Sequence, residues 1–424
     1  MTSKQYTEAY VWIWLPEATE PVVAGKLEAD GKELLFNYGK SYLARVDDAK
    51  PAIAIYDKEL PLQSGSIPLL DGLDVPSCIR DAAPDAWGRR VIINRTLGLK
   101  GANADTAQLD ELTYLLESGS DRIGALDFQA SPTEYVPRSP VNPTLDELLE
   151  SVERVQQGTP LTPELDQALF HGSSIGGARP KALIEQNSKK YVAKFSASSD
   201  LYSVVKAEFV AMRLAALTGL NVAPVKLVKA LHKDVLLIER FDRVHTVNGW
   251  QRKSMLSALT LFGLDDMMAR YASYETLAEL IRHRFTKPKE TLRELFSRLV
   301  FNILSGNTDD HARNHAAFWD GKQLTLTPAY DICPQGRAGN TASQAMLIHG
   351  SNNLSQLQSC LDTAHNFHLS QSEAADIIGH QKVVIETHWN SVCEEAELNE
   401  IDKRLLWERQ FLNPFIFEGL TQAS

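Results

Sequence analysis

One polar stretch in the C-terminal half restricts the fold of this 424-residue chain more than any other feature. It runs from Ser305 to Asn314, and within it Asp309 stands five positions before Asn314. A third oxygen-bearing side chain, Asp331, follows Asn314 by seventeen positions. Carboxylate and amide oxygens are the ligands that Mg²⁺ prefers. This spacing is typical of a loop that orients a hydroxyl group for phosphoryl transfer beside bound metal, so it predicts a site for that chemistry.

Protein kinases use the same order of Asp, Asn and Asp, and upstream residues supply further parts of such a site. Lys194 lies in the predicted strand Tyr191–Phe195, as the phosphate-binding lysine of kinases does. Glu208 lies fourteen positions later in the predicted helix Lys206–Leu217, where it can pair with Lys194. The structural alternatives are a lysine on an exposed strand face and a solvated helix carboxylate.

Two further segments fit the same kind of site. Residues 172–181 form a glycine-rich turn, and the amide groups of such turns converge on phosphate oxygens. A plain turn is the alternative, since the P-loop consensus is absent. Residues 239–243 follow the predicted strand Val235–Ile238 and are placed to hold adenine against their backbone. A charged loop held by salt bridges is the alternative there.

The catalytic base of the polar stretch has two candidates. Asp310 competes with Asp309, but only Asp309 has the five-residue spacing to Asn314, so we predict Asp309 as the base and keep Asp310 as the alternative base. A polar loop with an Asx turn is the structural alternative for the whole stretch. His311 and His315 would share a face of a helix and bind zinc, but no Glu lies between them as in His-Glu-x-x-His. A histidine that supports Asp309 is the favoured interpretation.

Composition excludes several functional classes. The net charge of −11 argues against unspecific nucleic-acid binding, which needs many cationic side chains. No run of about 18 apolar residues is present to span a membrane, and residues 11–15 are too short a stretch for a secretory signal. The cysteines form no Cys-x-x-Cys pair, which predicts free buried thiols: Cys78, Cys333, Cys360 and Cys393. We therefore expect a cytoplasmic protein with no membrane partner.

Periodicity divides the chain into four regions. Residues 1–130 are β-rich, residues 131–143 carry four prolines and predict an extended, poorly packed linker, residues 144–240 hold the glycine-rich loop, and residues 241–424 are mainly helical around the polar stretch. The predicted strands are Tyr10–Leu15, Glu33–Tyr38, Ala52–Tyr56, Ile123–Phe128, Ala182–Glu185 and Ala223–Val228. The predicted helices begin near Pro84, Asp110 and Thr144, the last with a capping box to Glu147. The predicted class is α+β, with a bilobal protein-kinase-like core.

Several motifs, in order, resemble the HipA family of bacterial serine/threonine kinase toxins from type II toxin–antitoxin systems. They cover nearly the whole chain: residues 81–90, 121–126, 174–181, 239–243, 307–314 and 328–331. The resemblance implies a small β-rich N-terminal domain, a kinase core with a mobile glycine-rich loop, and a largely helical C-terminal lobe. It also implies the use of ATP with Mg²⁺.

By motif matching, the resemblance assigns a role to each candidate residue. Asp309 is catalytic, Asn314 and Asp331 bind the metal, and Lys194 holds phosphate. Glu239 and Phe241 line the adenine pocket. The ATP-binding set is completed by Ser174, Ile175, Gly176, Gly177, Ala178, Lys181 and His311. Ser174 matches the serine that family members autophosphorylate, where a phosphate adds about two negative charges to the loop and is expected to silence the enzyme.

The resemblance further implies partners. Family targets include aminoacyl-tRNA synthetases, and loss of their activity arrests growth, which leads to persistence. The usual partner is a small HipB-like helix-turn-helix antitoxin that binds both the kinase and operator DNA. Some residues depart from the family pattern: Gly176 and Arg179 stand where relatives often carry Ala and Gln, and Asp310 replaces a frequent Gly. The alternative functions are a small-molecule phosphotransferase of kinase-like fold and a non-catalytic repressor subunit bound to an antitoxin.

Overall fold

The computed structural model divides the chain into two compact units. The first comprises Met1–Ser199, Val228–Leu256 and Phe318–Lys322, and the second comprises Asp200–Leu227, Ser257–Ala317 and Gln323–Ser424. The described residues are 6–46, 50–97, 109–138, 143–157, 159, 162, 165, 179–197, 200, 202–231, 233–337 and 339–420. Most of the glycine-rich segment, including Ser174, Ile175, Gly176, Gly177 and Ala178, lies outside them.

An antiparallel sheet of five strands, in the order β4-β3-β2-β1-β5, forms the N-terminal part of the first unit. Its strands are β1 Glu8–Ile13, β2 Val22–Asp30, β3 Glu33–Tyr38, β4 Ser66–Ile67 and β5 Leu126–Gln129. In β3 the buried residues Leu34, Phe36 and Tyr38 alternate with less buried ones. This period of two is the pattern of a strand with one face in the core, and it confirms the predicted strand Glu33–Tyr38.

The predicted strand Ala52–Tyr56 is wrong. Side-chain hydroxyls satisfy the backbone here: Tyr38 accepts from the Ile55 amide at 2.9 Å, and Tyr42 donates to the Ile53 carbonyl at 2.8 Å. Because these tyrosines take the hydrogen bonds that a neighbouring strand would make, the segment runs as an irregular chain over the sheet.

Five helices in the described part of the chain belong to the first unit. They are α1 Lys40–Leu43, α2 Ser77–Arg80, α3 Ala86–Leu97, α4 Glu111–Glu117 and α5 Leu145–Gln157. Asp110 caps α4 by accepting from the Thr113 amide at 2.7 Å. The predicted capping box of α5 is confirmed, since Thr144 and Glu147 exchange backbone and side-chain hydrogen bonds of 2.8 and 3.2 Å.

Two side chains of the proline-rich segment contact the first sheet. Tyr135 lies against Trp12 and Trp14, with ring centroids 5.4 and 5.5 Å apart. Arg138 donates to the buried Asp127 at 2.9 Å. The backbone of residues 131–138 has no regular secondary structure, as prolines favour, and most of these residues are exposed, while Tyr135 and Arg138 attach the segment to the first sheet.

A second sheet has four strands in the order β6-β7-β9-β8. Its strands are β6 Lys181–Gln186, β7 Lys189–Phe195, β8 Val225–Ala230 and β9 Lys233–Glu239. The predicted strands Ala182–Glu185 and Tyr191–Phe195 are confirmed: they lie in β6 and β7, which form a hairpin with Asn187 and Ser188 left-handed at its turn. Ala193 and Phe195 on β7 pack with Leu148 and Val152 of α5 into a common core. Three short strands follow: β10 Arg243–Thr246, β11 Gly249–Arg252 and β12 Ser254–Ser257.

Helices dominate the second unit, as the sequence predicts. They are α6 Val204–Leu217, α7 Ala258–Phe262, α8 Tyr274–Arg284, α9 Pro288–Ser305, α10 Leu357–Thr363, α11 Gln371–Glu395 and α12 Glu400–Leu406. Two short strands, β13 Ala316–Trp319 and β14 Leu324–Leu326, follow the polar stretch. All four cysteines lie in the described part of the chain and are buried free thiols. Among the described helices, none is long and apolar enough to cross a bilayer.

Candidate active site

The polar stretch begins where helix α9 ends, at Gly306. This glycine is left-handed, with φ of +71°, and a Cβ placed on it would meet the Gln410 carbonyl oxygen at 2.6 Å. Only glycine avoids both the conformational strain and the collision. The next residue, Asn307, donates from its side-chain amide to Asn302 of α9 at 3.0 Å, so the start of the loop is held on the helix.

The two adjacent aspartates of the loop lie in opposite environments. Asp309 is exposed, whereas Asp310 is 3% exposed. Asp310 lies 3.0 Å from Nε2 of His315 and accepts a hydrogen bond from the Tyr274 hydroxyl. Asp310 is therefore engaged in the interior, while Asp309 is open to a ligand.

The pKa values of the two aspartates shift in opposite directions. Burial acts to raise the pKa of Asp310, but the charge and hydrogen bond of His315, together with the Tyr274 hydroxyl, outweigh it and hold that pKa below its ordinary value. For Asp309, partial loss of solvent raises the pKa; His311 opposes this, and the charges of Asp331 and Asp310 add to it.

The histidines of the loop do not share a helix face. Only residues 312–314 form a turn of 3₁₀ helix, and His315 continues in extended conformation with its ring on Asp310. His311 donates its backbone amide to the Asp309 carbonyl at 2.9 Å. Because its charge lowers the pKa of Asp309, His311 acts on that carboxyl electrostatically, as a supporting histidine would.

The candidate metal ligands Asn314 and Asp331 lie before β13 and after β14. The Asn314 side-chain nitrogen donates to the Asp309 carbonyl at 3.1 Å, which orients its amide oxygen the other way. Asp331 is left-handed, with φ of +58°, a conformation that costs free energy for a non-glycine residue and often marks a functional position. Downstream, the Gln335 amide donates to Gly306 at 3.0 Å, so the two segments meet. These oxygen donors, close enough for Asp331 to affect Asp309 electrostatically, fit a hard cation such as Mg²⁺.

The two strand lysines are buried cross-strand neighbours. Lys181 on β6 pairs with Lys194 on β7, and the two side chains are 5% and 8% exposed. They project from the face of the sheet opposite to Ala193 and Phe195, which lie in the core. The alternative of an exposed strand lysine is therefore wrong, and the face that carries both ammonium groups is shielded from water.

Glu208 on α6 is also buried, at 2% exposed. The alternative of a solvated helix carboxylate is wrong, because α6 is apolar on most of its surface and buries ten of its residues. The ion pair of Glu208 with Lys194 stays a prediction.

Glu239, the last residue of β9, and Phe241, in the segment after it, each make a side-chain contact. Glu239 binds Lys189 at 2.6 Å, and the Phe241 ring lies edge-on to Phe318 at 5.9 Å between centroids. Both Glu239 and Phe241 remain partly exposed despite these contacts. Their assignment to an adenine pocket stays a prediction.

The other residues of this segment form a buried ionic network that sequence reasoning identified only in outline. Arg240 and Arg243 each contact Asp242, at 2.8 and 2.9 Å, and Asp121, at 3.1 and 2.9 Å. Asp242 also accepts from the Gly124 amide at 2.8 Å. Burial acts to raise the pKa of Asp242, but the two arginines lower it to about 2. The salt-bridged alternative is thus correct for these three residues, and the partner Asp121 was missed because it lies more than a hundred positions upstream.

Comparisons with known proteins agree with these motifs. Residues 14–129 match the HipA N-terminal domain and residues 173–389 match the HipA-like C-terminal domain. The putative kinase Y4mE of Sinorhizobium fredii is 28% identical over 273 residues, which cover 58% of this chain and 60% of that protein. The serine/threonine-protein kinase toxin HipA of Shewanella oneidensis is 24% identical over 242 residues, covering 50% and 54%. The matched segments thus span little more than half the length of these relatives.

A solved structure shares the fold. Shewanella oneidensis HipA, in a complex with HipB and its operator DNA, superposes with a TM-score of 0.67 at 18% identity, covering 91% of this chain and 92% of that one. This likeness confirms the predicted α+β, kinase-like fold. Since the C-terminal match alone covers half of the chain, the protein belongs to the HipA family.

Proposed function

We propose that this chain is an ATP-dependent serine/threonine protein kinase that acts as the toxin of a bacterial toxin–antitoxin system. The observation that carries the proposal is the difference in environment between the two loop aspartates: Asp309 is open to a substrate, and Asp310 is buried against Tyr274 and His315. In such a loop the buried carboxylate anchors the backbone, so the neighbouring carboxylate is held outward, where it can act as a base.

Asp309 is the proposed catalytic base and Asp310 the residue that positions it. The exposed carboxylate can accept the proton of an acceptor hydroxyl, and its raised pKa makes it a better base than an ordinary aspartate. Asp310 has no such freedom, because its hydrogen bonds are made in the interior. This difference supports Asp309 over Asp310 as the base, the choice that the spacing to Asn314 indicated.

Asn314 and Asp331 are the proposed Mg²⁺ ligands. When bound, the ion would neutralise charge on the transferred phosphoryl group. The hydrogen bond from Asn314 to the Asp309 carbonyl couples the position of the base to that of the metal ligand. The left-handed backbone of Asp331, which costs free energy in a non-glycine residue, supports a functional role for its carboxylate.

Lys194, with Lys181 beside it, is proposed to hold the ATP phosphates. Two ammonium groups on one shielded strand face attract an anion more strongly than they would in water. Glu208 is proposed to pair with Lys194, Glu239 and Phe241 to line the adenine pocket, and His311 to contact the nucleotide. The glycine-rich residues 174–178 are proposed to cover the phosphates.

Ser174 is the proposed site of autophosphorylation. A phosphate there carries about two negative charges and would compete with the phosphates of ATP for the same cations. The proposed partners are a protein substrate, for which an aminoacyl-tRNA synthetase is the first candidate, and a HipB-like antitoxin. With a net charge of −11, the chain is proposed to reach operator DNA through that antitoxin.

Intact-mass spectrometry tests the proposal. The full chain, incubated with ATP and Mg²⁺, should gain one phosphate that maps to Ser174, and chelation of the metal should prevent the gain. The Ser174→Ala variant should gain none but still phosphorylate a protein substrate. If the wild type gains nothing while it binds ATP, the small-molecule or non-catalytic alternative is correct instead.

A further inference from the structure

A cluster of exposed apolar side chains lies between helices α7 and α8 of the second unit. Met267 is 77% exposed, Met268 43% and Tyr271 54%. They are three of the fourteen large apolar residues that are exposed in the described part of the chain, and they fall within five positions. Single exposed apolar residues are ordinary on a protein surface, whereas a cluster of them is typical of an interaction site. We call these three side chains the methionine patch.

Local hydrogen bonds hold the backbone of the patch in one conformation. Asp265 accepts from the Met268 amide at 2.7 Å, and the Tyr271 amide donates to the Met268 carbonyl at 2.9 Å. The second bond closes a turn of 3₁₀ helix, in which residues three positions apart eclipse each other, so Met268 and Tyr271 project from the same side. The surface is therefore formed before a partner arrives, which lowers the entropic cost of binding.

An ion pair joins the patch to the polar stretch. Asp266, which directly precedes Met267, lies 2.6 Å from Arg313. Arg313 follows Asp309 by four positions, and the loop between them folds back, because the Asn314 side chain donates to the Asp309 carbonyl at 3.1 Å. The patch thus begins one residue away from a side chain that contacts the loop of the proposed base.

The two ends of the segment are attached to the same loop. The Ala258 amide, at the start of α7, donates to the His315 carbonyl at 2.7 Å. At the other end, the Tyr274 hydroxyl binds Asp310. Residues 258–274 therefore run along the side of the polar stretch, and the methionine patch is the exposed apolar part of this run.

This position selects the occupant of the patch. In the proposed reaction a protein brings a serine or threonine hydroxyl to the exposed Asp309, so the chain around that hydroxyl crosses the neighbouring surface. An extended chain rises about 3.4 Å per residue, so a side chain about three to six positions from the hydroxyl lies on the order of 10–20 Å from it. Such a side chain reaches a surface that one ion pair joins to the loop.

The side chains of the patch define the chemistry of recognition. Methionine is flexible and polarisable and adapts to apolar partners of different shape, and tyrosine adds a broad apolar ring. The neighbouring charges balance, since Asp265 and Asp266 are offset by Arg270 and Arg313. Apolar contact, rather than net charge, is therefore the basis on which this surface distinguishes one acceptor from another.

We propose that the methionine patch is the docking surface for the protein acceptor. It binds a large apolar side chain, such as leucine or phenylalanine, about three to six positions from the phosphorylated serine or threonine. The inference rests on the proposed kinase function and specifies its class of substrate.

Phosphorylation of a synthetic peptide library by the full chain with Mg-ATP tests the inference. Each peptide carries one central serine or threonine, and one flanking position at a time is fixed as each amino acid. We expect selection of large apolar residues about three to six positions from the acceptor. The double variant Met267→Gln/Met268→Gln should lose this selection. It should also raise KM for the best peptide at least about tenfold with kcat unchanged, because a docking contact acts equally on the ground and transition states.

The matched control is Val383→Gln, which changes an exposed apolar residue of α11 outside the patch and should leave both the selection and KM unchanged. Phosphorylation of Ser174, followed by intact mass in the same samples, reports the proposed kinase function separately and should be unchanged in the double variant. If the wild type modifies neither Ser174 nor any peptide, the proposed function fails and the inference falls with it.

Other outcomes overturn the inference alone. A wild type that phosphorylates Ser174 but no peptide, or that selects no apolar residue, has no such docking surface. The same holds if the double variant keeps the selection and KM of the wild type, or if it loses phosphorylation of Ser174. Light scattering checks for a second copy as the occupant: a wild-type dimer that the double variant does not form would assign the patch to self-association instead.

Discussion

Asp310 and His315 form a buried pair, with 3.0 Å between a carboxylate oxygen and the ring Nε2, and the Tyr274 hydroxyl binds the same carboxylate. The hydrogen bond from Tyr274 joins the polar loop to helix α8. The exposed Asp309 thus precedes a residue that is anchored from two sides.

Removal of the buried carboxylate should destabilise the fold. We expect Asp310→Ala to lower the free energy of unfolding by about 3 kcal/mol, because it leaves Tyr274 and His315 without their acceptor. Asp309→Ala, the matched control, should change it by less than about 0.5 kcal/mol, as exposed substitutions do. Urea unfolding of both variants measures the difference, and equal effects would contradict the assigned roles.

The pH dependence of transfer should report the raised pKa of Asp309. The base works only when deprotonated, so activity is lost as the pH falls through that raised pKa. Since His311 lowers the pKa of Asp309, His311→Gln should move this acid limb to higher pH. The exposed His365→Gln serves as control and should leave the limb in place; a shift in both variants would count against the assignment. The rate of autophosphorylation as a function of pH is the measurement.

The buried network around Asp242 should make the first unit sensitive to acid. The folded pKa of about 2 lies below the unfolded value, which is about 3.9. The contribution to stability is therefore complete above that unfolded value and is lost as the pH falls toward the folded one. Asp242→Asn should cost about 3 kcal/mol at neutral pH, because it leaves Arg240 and Arg243 undercompensated.

The matched control for this network is an exposed ion pair of the same unit. Glu150 lies 2.9 Å from Arg154 on α5, and Glu150→Gln should cost less than about 0.5 kcal/mol. Denaturant unfolding at neutral and acid pH compares the two variants. A loss of stability in Asp242→Asn no larger than in the control would show that the network is neutral.

Gly306 should tolerate no side chain. Gly306→Ala combines a left-handed backbone with a contact of 2.6 Å to the Gln410 carbonyl, so we expect a loss of more than about 2 kcal/mol. Gly350 has φ of +51° but no atom within 4 Å of a Cβ, and Gly350→Ala should cost only about 1 kcal/mol. Thermal unfolding of the two variants separates the collision from the backbone strain.

Lys194 should contribute to nucleotide affinity through its charge. Lys194→Met is expected to weaken binding of Mg-ATP about tenfold or more, the value of a shielded charge-assisted contact. Lys233→Met, which removes a partly exposed lysine that pairs with Glu153 at 2.6 Å, is the control and should change the affinity little. Calorimetric titration decides, and an unchanged affinity in Lys194→Met would remove this lysine from the proposed site.

Local signals predicted much of this structure. The alternation of Leu34, Phe36 and Tyr38 identified a strand, and the spacing of Thr144 and Glu147 identified a helix start, because each depends on residues a few positions apart. The spacing of Asp309 and Asn314 likewise identified a loop in which the two residues are hydrogen-bonded. Such patterns are legible without knowledge of the tertiary fold.

Contacts between distant segments were not predictable in the same way. The partner of Asp310, Tyr274, lies 36 positions upstream, and nothing in the local sequence indicates that the loop buries one aspartate and exposes the other. The irregular path of residues 52–56 depends on hydroxyls of Tyr38 and Tyr42, which override a local preference for strand. The burial of Lys194 and Glu208 also depends on the tertiary fold. Periodicity alone did not decide whether these two side chains are buried or exposed.

The most direct test of the account compares Asp309→Asn with Asp310→Asn in transfer of phosphate from Mg-ATP to Ser174. Both variants are first shown to be folded by circular dichroism. We expect Asp309→Asn to lower the rate at least about a hundredfold, the usual contribution of a general base, whereas Asp310→Asn should retain transfer within about tenfold of the wild type. Retained transfer in folded Asp309→Asn, or its loss in folded Asp310→Asn, would contradict the assignment of Asp309 as the base.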